Sequence, residues 1–197
     1  MNSILITVTG IETGDTYYSR SYPDNDYDNN GKKEFYSTPV YKITIENEAN
    51  KLQKKEWKAL RFMPYWNDPK SPSTQYKAKG WVNSGLSVVD RKKVTLYDKD
   101  YTVHNTTSLY KGGIQIQGNF LIHAGPTSIT DYGWGAAGCV EIIGDFDEFK
   151  KDIATLAGLN TKNLHDAILT LVKSGKLFVE VQYALRPDLK NNFYLEQ

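Results

Sequence analysis

The single cysteine of this 197-residue chain, Cys139, stands in Gly138-Cys139-Val140-Glu141-Ile142, and His123 precedes it at the end of Phe120-Leu121-Ile122. A thiol attacks a carbonyl carbon only as thiolate, so a nucleophilic cysteine needs a partner to take its proton. A neighbouring imidazole does this and stays as imidazolium. Gly138 lets the backbone turn sharply before the thiol and brings main-chain N–H groups toward the attacked oxygen. The competing reading makes Cys139 a core residue and His123 a satisfied strand-end histidine, since free cysteine is among the most buried residue types.

Those two residues need rigid elements beneath them. Phe120-Leu121-Ile122 is a continuous apolar run, the pattern of a strand buried on both faces, and Val140–Ile143 reads as a short apolar strand. Residues 125–138 between them are punctuated by Gly and Pro and read as an irregular loop, where site residues often lie. Upstream, residues 4–9 and 40–45 read as strands. Residues 14–39 are polar and Tyr-rich and read as a long excursion. The Lys-rich 50–58 stretch reads as a short helix or solvated loop, and 67–80, with two prolines, as a loop. Val94–Tyr97 and Tyr101–His104, flanking Asp98-Lys99-Asp100, read as a hairpin, and Ile114–Gln117 alternates as a strand does.

Downstream, Asp145 and Glu148 form a capping-box pattern before a helix whose apolar face is Phe146, Phe149, Ile153 and Leu156, stopped at Gly158. Thr161 is the expected cap of a second helix carrying Leu164, Ile168, Leu171 and Val172 and closing at Ser174-Gly175. Leu177–Leu185 reads as a last strand. Strands, two helices, then a strand make an α+β, β-rich domain spanning 1–197, with residues 1–50 as an alternative separate β unit.

The run His123-Ala124-Gly125-Pro126, then a loop, then Ala136-Ala137-Gly138-Cys139-Val140 resembles the signature of the L,D-transpeptidase catalytic domain (the YkuD-like family). There a histidine is followed, one loop later, by Ser/Thr-His-Gly-Cys and an apolar residue. The likeness covers roughly residues 114–144. It implies a β-rich catalytic domain that transfers acyl groups of peptidoglycan stem peptides, as transpeptidase or carboxypeptidase, without a cofactor. It assigns Cys139 as nucleophile and His123 as base, with the Ala124 carbonyl orienting the imidazole and the N–H groups of Gly138 and Cys139 holding the oxyanion. Ala136 and Ala137 replace the family's Ser/Thr and second His. Glu141 replaces its Arg or Asn two places after the cysteine, which alters charge beside the substrate. Divergent relatives that are injected as antibacterial toxins also lack the second histidine, which implies an effector with an immunity protein as partner.

Composition excludes other classes. The 24 basic and 23 acidic residues leave a net charge of +1, with no footprint for nucleic acid. No apolar run reaches the length of a membrane span, so membrane insertion is not expected. The opening MNSILITVTGIETGD lacks a basic n-region and is not read as a secretory signal. The expected location is the producer's cytoplasm, or the periplasm after delivery by a specialised secretion system.

Tyr132, Trp134 and Asp131 in the loop, with Glu141, are the candidate substrate-binding residues; Trp134 and Tyr132 equally suit anchoring, and Asp131 a turn. Asp26–Gly31 copies the first half of an EF-hand loop, but Ser37 stands where a bidentate Glu belongs, so it reads as a turn. His104 and His165 show no metal-ligand spacing, and no metal is expected. Fourteen Tyr and four Trp suit either strands or an aromatic groove. They keep open a non-catalytic glycan- or protein-binding module. Glu141 keeps open a Cys–His amidase acting on another substrate.

Overall fold

In the computed structural model, residues 1–20, 31–32, 34–66, 79–81, 88–103, 108–136, 138–187 and 192–194 are described. The elements run β1 (Ile4–Arg20), β2 (Glu34–Asn47), β3 (Asn50–Leu60), β4 (Pro64–Trp66), β5 (Lys79–Trp81), β6 (Val89–Lys93), β7 (Tyr97–Asp98), β8 (Gly113–Gln117), β9 (Phe120–Ala124), β10 (Val140–Ile143), α1 (Phe146–Leu156), α2 (Leu164–Lys173), β11 (Leu177–Val181) and β12 (Asn192–Tyr194). Among the described residues a 10-stranded mixed sheet has the order β6-β11-β1-β2-β3-β10-β9-β8-β7, with β12 on β2, and β4–β5 form a separate ribbon. The fold is α+β and β-rich. β1 and β2 lie in the middle of the sheet.

Two neighbour pairs are parallel: β1 with β11, and β9 with β10. Parallel neighbours cannot be joined by a tight hairpin and need a crossover of about a dozen residues or more. The irregular stretch 125–139 is that crossover. Parallel pairing therefore dictates a long loop between His123 at the end of one strand and Cys139 at the start of the next.

The sheet separates two apolar clusters. Val140, Ile142, Ile122 and Ala124 join Phe146, Phe149, Ile153 and Ile168 of the helices in the main core. Strand alternation sends Glu141 and Ile143 the other way, and Ile143 packs with Tyr17, Val40, Leu60 and Ala136, against which Trp134 and Ile129 of the crossover rest. The helices thus cover one face, and the crossover covers the face of the candidate site.

α1 starts at Asp145, whose side chain takes the N–H groups of Asp147 and Glu148, and the chain leaves it through Gly158 at φ 71°. α2 is capped by Asn163, not by the expected Thr161, whose hydroxyl instead takes the Asn163 N–H at 3.1 Å. Asn163 wins because its carboxamide reaches the N–H groups of both His165 and Asp166.

Three further expectations are corrected. The polar stretch read as an excursion from residue 14 continues β1 to Arg20, and β2 begins at Glu34. Its buried polar groups satisfy one another: the hydroxyls of Ser19 and Thr38 meet at 2.9 Å across the strands. Residues 50–58 are strand β3, neither helix nor loop. Its charges pair across strands, Lys58 with Asp15 at 2.7 Å and Glu56 with Lys42 at 3.1 Å, and Trp57 stacks edge-on to Phe149. The expected hairpin partner of β7 is replaced by β8, with Tyr97 opposite Ile114. His104, most of 67–80, Ala137, and Asp26–Gly31 apart from Gly31 lie outside the described residues.

Candidate active site

β9 and β10 run side by side with Val140 opposite Ile122 and Glu141 opposite His123. Strand alternation then puts Leu121, His123 and Glu141 on one face, and Cys139 stands immediately ahead of β10. Cys139 is half-buried. Its Sγ accepts the Leu121 N–H at 3.4 Å, and no hydrogen bond joins it to His123 among the described residues. Gly138, at φ 98°, takes the left-handed conformation that turns the crossover into β10.

His123 is 2% exposed. Its Nδ1 lies 2.7 Å from the Ala124 carbonyl oxygen. A carbonyl only accepts, so Nδ1 carries the proton in this pair and Nε2 is left as the basic nitrogen. Tyr101 covers the ring at a centroid distance of 5.1 Å. Burial pushes the imidazole down to about 4, against the smaller upward pull of the Ala124 carbonyl. Burial pushes the Cys139 thiol up, the Leu121 N–H opposes this, and the Glu141 charge adds to it. Both groups are therefore neutral at rest near pH 7. The low-pKa thiol that a resting thiolate–imidazolium pair would show is not the state of this geometry.

Glu141 is 4% exposed, and its Oε2 has no hydrogen-bond partner among the described residues. Burial raises the carboxyl to about 8, while the Arg20 charge and the Gly135 N–H pull it down less strongly. Gly125 is required beside it. A Cβ there would lie 2.7 Å from the Ile142 carbonyl oxygen and 2.8 Å from the Glu141 Cβ, and the Gly125 N–H bonds that carbonyl at 2.9 Å.

The crossover residues separate by role. The Asp131 carboxylate takes the Thr127 N–H at 3.2 Å, so it serves a turn. Trp134 is partly buried in the small cluster, and its N–H reaches the Tyr17 hydroxyl at 3.0 Å. Tyr132 is 42% exposed and meets Tyr18 edge-on at 5.2 Å; of the three it is the one that faces solvent. Two residues here escaped the sequence reading. Tyr17, fully buried, also donates its hydroxyl proton to the Asp131 carbonyl. Tyr101 roofs His123, and burial with the nearby Cys139 and Glu141 charges raises its phenol to about 12. The Tyr-rich composition was their only signal, and it does not say which tyrosines turn inward.

His165, which showed no partner in the sequence, meets the Tyr97 hydroxyl at 2.6 Å through Nδ1. Among the described residues no group of three or more His, Cys, Asp or Glu side chains comes together to hold a metal ion. Among them, too, no helix is long and apolar enough to cross a membrane.

Searches against protein-family models, curated proteins and solved structures return no match.

Proposed function

We propose that the protein is a cysteine acyl-transfer enzyme acting on peptidoglycan stem peptides, with Cys139 as nucleophile and His123 as base. One observation carries the reading. The imidazole is fixed through Nδ1 by its neighbour's carbonyl, 2.7 Å away, on β9, and Cys139, immediately ahead of the adjacent β10, meets that same strand through the Leu121 N–H. That arrangement fixes the tautomer that can take a thiol proton at Nε2.

The step requires Sγ to leave the Leu121 N–H and approach Nε2; catalytic hydrogen bonds are often formed only once substrate is bound. The thiol proton passes to Nε2 and sulfur attacks the carbonyl carbon of the L-centred residue before the terminal D-residue. The C–S bond forms as the carbonyl π pair moves to oxygen, where N–H groups at Gly138 and Cys139 would receive it. The C–N bond then breaks, and the D-amino acid leaves with the proton from His123. The thioester passes to water or to an amine. The substrate class rests on the sequence resemblance, and an exported antibacterial effector is the form that best suits it.

The neutral thiol, its bond to Leu121, and the lack of a hydrogen bond to His123 among the described residues favour a second reading, a non-catalytic β-rich binding module with Cys139 as a structural residue. Incubating wild type and Cys139→Ala with purified muropeptides, followed by mass spectrometry, separates the two. Loss of a terminal D-alanine, or its exchange for an added D-amino acid, by wild type alone supports the enzyme. Unchanged stem peptides, with a thiol that iodoacetamide reaches only on unfolding, support the module.

A further inference from the structure

We propose that Glu141 is a positioning residue for Cys139, a carboxyl that must keep its proton for the thiolate to form. Its catalytic meaning rests on the acyl-transfer reading; the coupling itself rests on the burial, two residues from the thiol, of the Glu141 carboxyl, whose Oε2 has no hydrogen-bond partner among the described residues.

Glu141 is the second residue of β10, and Cys139 stands two residues before it, immediately ahead of the strand. The carboxyl is enclosed. His123 lies opposite on β9, and Leu60 lies opposite on β3. Gly125 presses on its stem, and the crossover supplies the Gly135 N–H from above. Among the described residues the charged and titratable groups that act on this carboxyl or feel its charge are Arg20 and Tyr17 from β1, Tyr101 from the segment after β7, and Cys139; His123 is its register partner on β9, and Asp131 of the crossover acts on Tyr17. Leu60 brings no charge from β3. Arg20 is the cation of the set and acts on Glu141 through space.

The Glu141 charge thus acts on three further acids, Cys139, Tyr101 and Tyr17, and among the described residues Arg20 is the cation that acts on Glu141. Like charges in a buried space raise one another's pKa, so one anion there is tolerated and a second is costly. When Cys139 gives its proton to Nε2 of His123, Glu141 keeps its own. No bond to Glu141 forms or breaks. Once Glu141 ionises, as it does first on the alkaline side, thiolate formation is suppressed. The Oε2 fits this role, since among the described residues no hydrogen bond or ion pair reaches it to hold the carboxyl in its charged form.

The test uses the chain's single cysteine as its own reporter. Iodoacetamide alkylation is followed against pH in wild type and Glu141→Gln, together with the 13Cβ shift of Cys139. The two proteins should alkylate at equal rates near pH 6.5, where Glu141 is neutral, and Glu141→Gln should be about tenfold faster near pH 9.5, as expected for loss of one nearby like charge. In wild type alone, the Cys139 13Cβ resonance should move in two steps, the first coinciding with the Glu141 carboxyl titration. That readout holds even if the variant does not fold. Superimposable profiles, a constant offset at every pH, or a single 13Cβ step would overturn the proposal. A pH-dependent difference with no muropeptide product would leave the coupling standing and remove the acyl-transfer reading.

Discussion

The Tyr17 hydroxyl receives the Trp134 N–H at 3.0 Å and gives its own proton to the Asp131 carbonyl, tying a strand near the N-terminus to the crossover that ends at Cys139. Both bonds are shielded from water, since Tyr17 is fully buried. Tyr17→Phe keeps the ring in its cluster and strands one backbone donor and one acceptor. A group left unsatisfied in this way costs about 1–3 kcal/mol. Urea unfolding should show a loss in that range, and amide exchange should accelerate at 127–136 ahead of the sheet. A variant within about 0.5 kcal/mol of wild type and with an unchanged exchange pattern would mean that the crossover holds itself.

How much of this was legible in the sequence depended on whether a residue's neighbours lay nearby in the chain. The helices were visible because periodicity and Asp145 are local signals, and β9 and β10 because their short apolar runs are local signals too. Tyr17 and Ser19 looked like loop residues because what buries them, β2 and the crossover, lies far along the chain. β3 looked like helix or loop because its lysines are matched by acids on other elements, Asp15 and Asp152 among them. At the site, the order His123, loop, Gly138-Cys139 could be read directly. The burial that neutralises both groups could not, because it comes from residues brought together by the fold, Tyr101 against the His123 ring among them, rather than from spacing.

His123 and Glu141 should give the stability curve opposite slopes. The imidazole is lowered from 6.5 to about 4, so the unfolded chain binds more protons, and this contribution is lost as pH falls from 6.5 toward 4. The carboxyl is raised from 4.5 to about 8, so the folded chain binds more protons, and its contribution, full below 4.5, is lost as pH rises through 8. Between the two unfolded-state values the slopes cancel. Above pH 6.5 the Glu141 slope stands alone, at most about 1.4 kcal/mol per pH unit. Urea unfolding of Glu141→Gln relative to wild type should therefore show an advantage that grows from pH 5 to pH 8. A difference that does not change with pH would place the Glu141 carboxyl near its ordinary range.

Gly125 is fixed by space rather than by a left-handed turn. Gly125→Ala would drive its methyl against the Ile142 carbonyl at 2.7 Å, and that carbonyl belongs to strand backbone that cannot rotate away. Overpacking of this kind costs about 1–3 kcal/mol and sometimes more. Since the shift falls between His123 and Glu141, the 13C signals of both side chains should move with it. Full stability in Gly125→Ala would show that β9 and β10 can part without penalty.

The sharpest kinetic prediction divides the two members of the pair. Cys139→Ala removes the atom that forms the thioester, so D-alanine release from a tetrapeptide stem should fall to background. His123→Ala leaves the nucleophile but removes both the acceptor of its proton and the donor to the leaving amine, a loss of about 10²–10⁴ in kcat for general acid–base work. His123 is 2% exposed beneath Tyr101, so it contributes little to binding of the peptide, and KM should change far less than kcat. If both variants keep wild-type turnover, the activity belongs to other residues. If only His123→Ala keeps it, the base lies elsewhere, and Cys139 is activated through a group other than this imidazole.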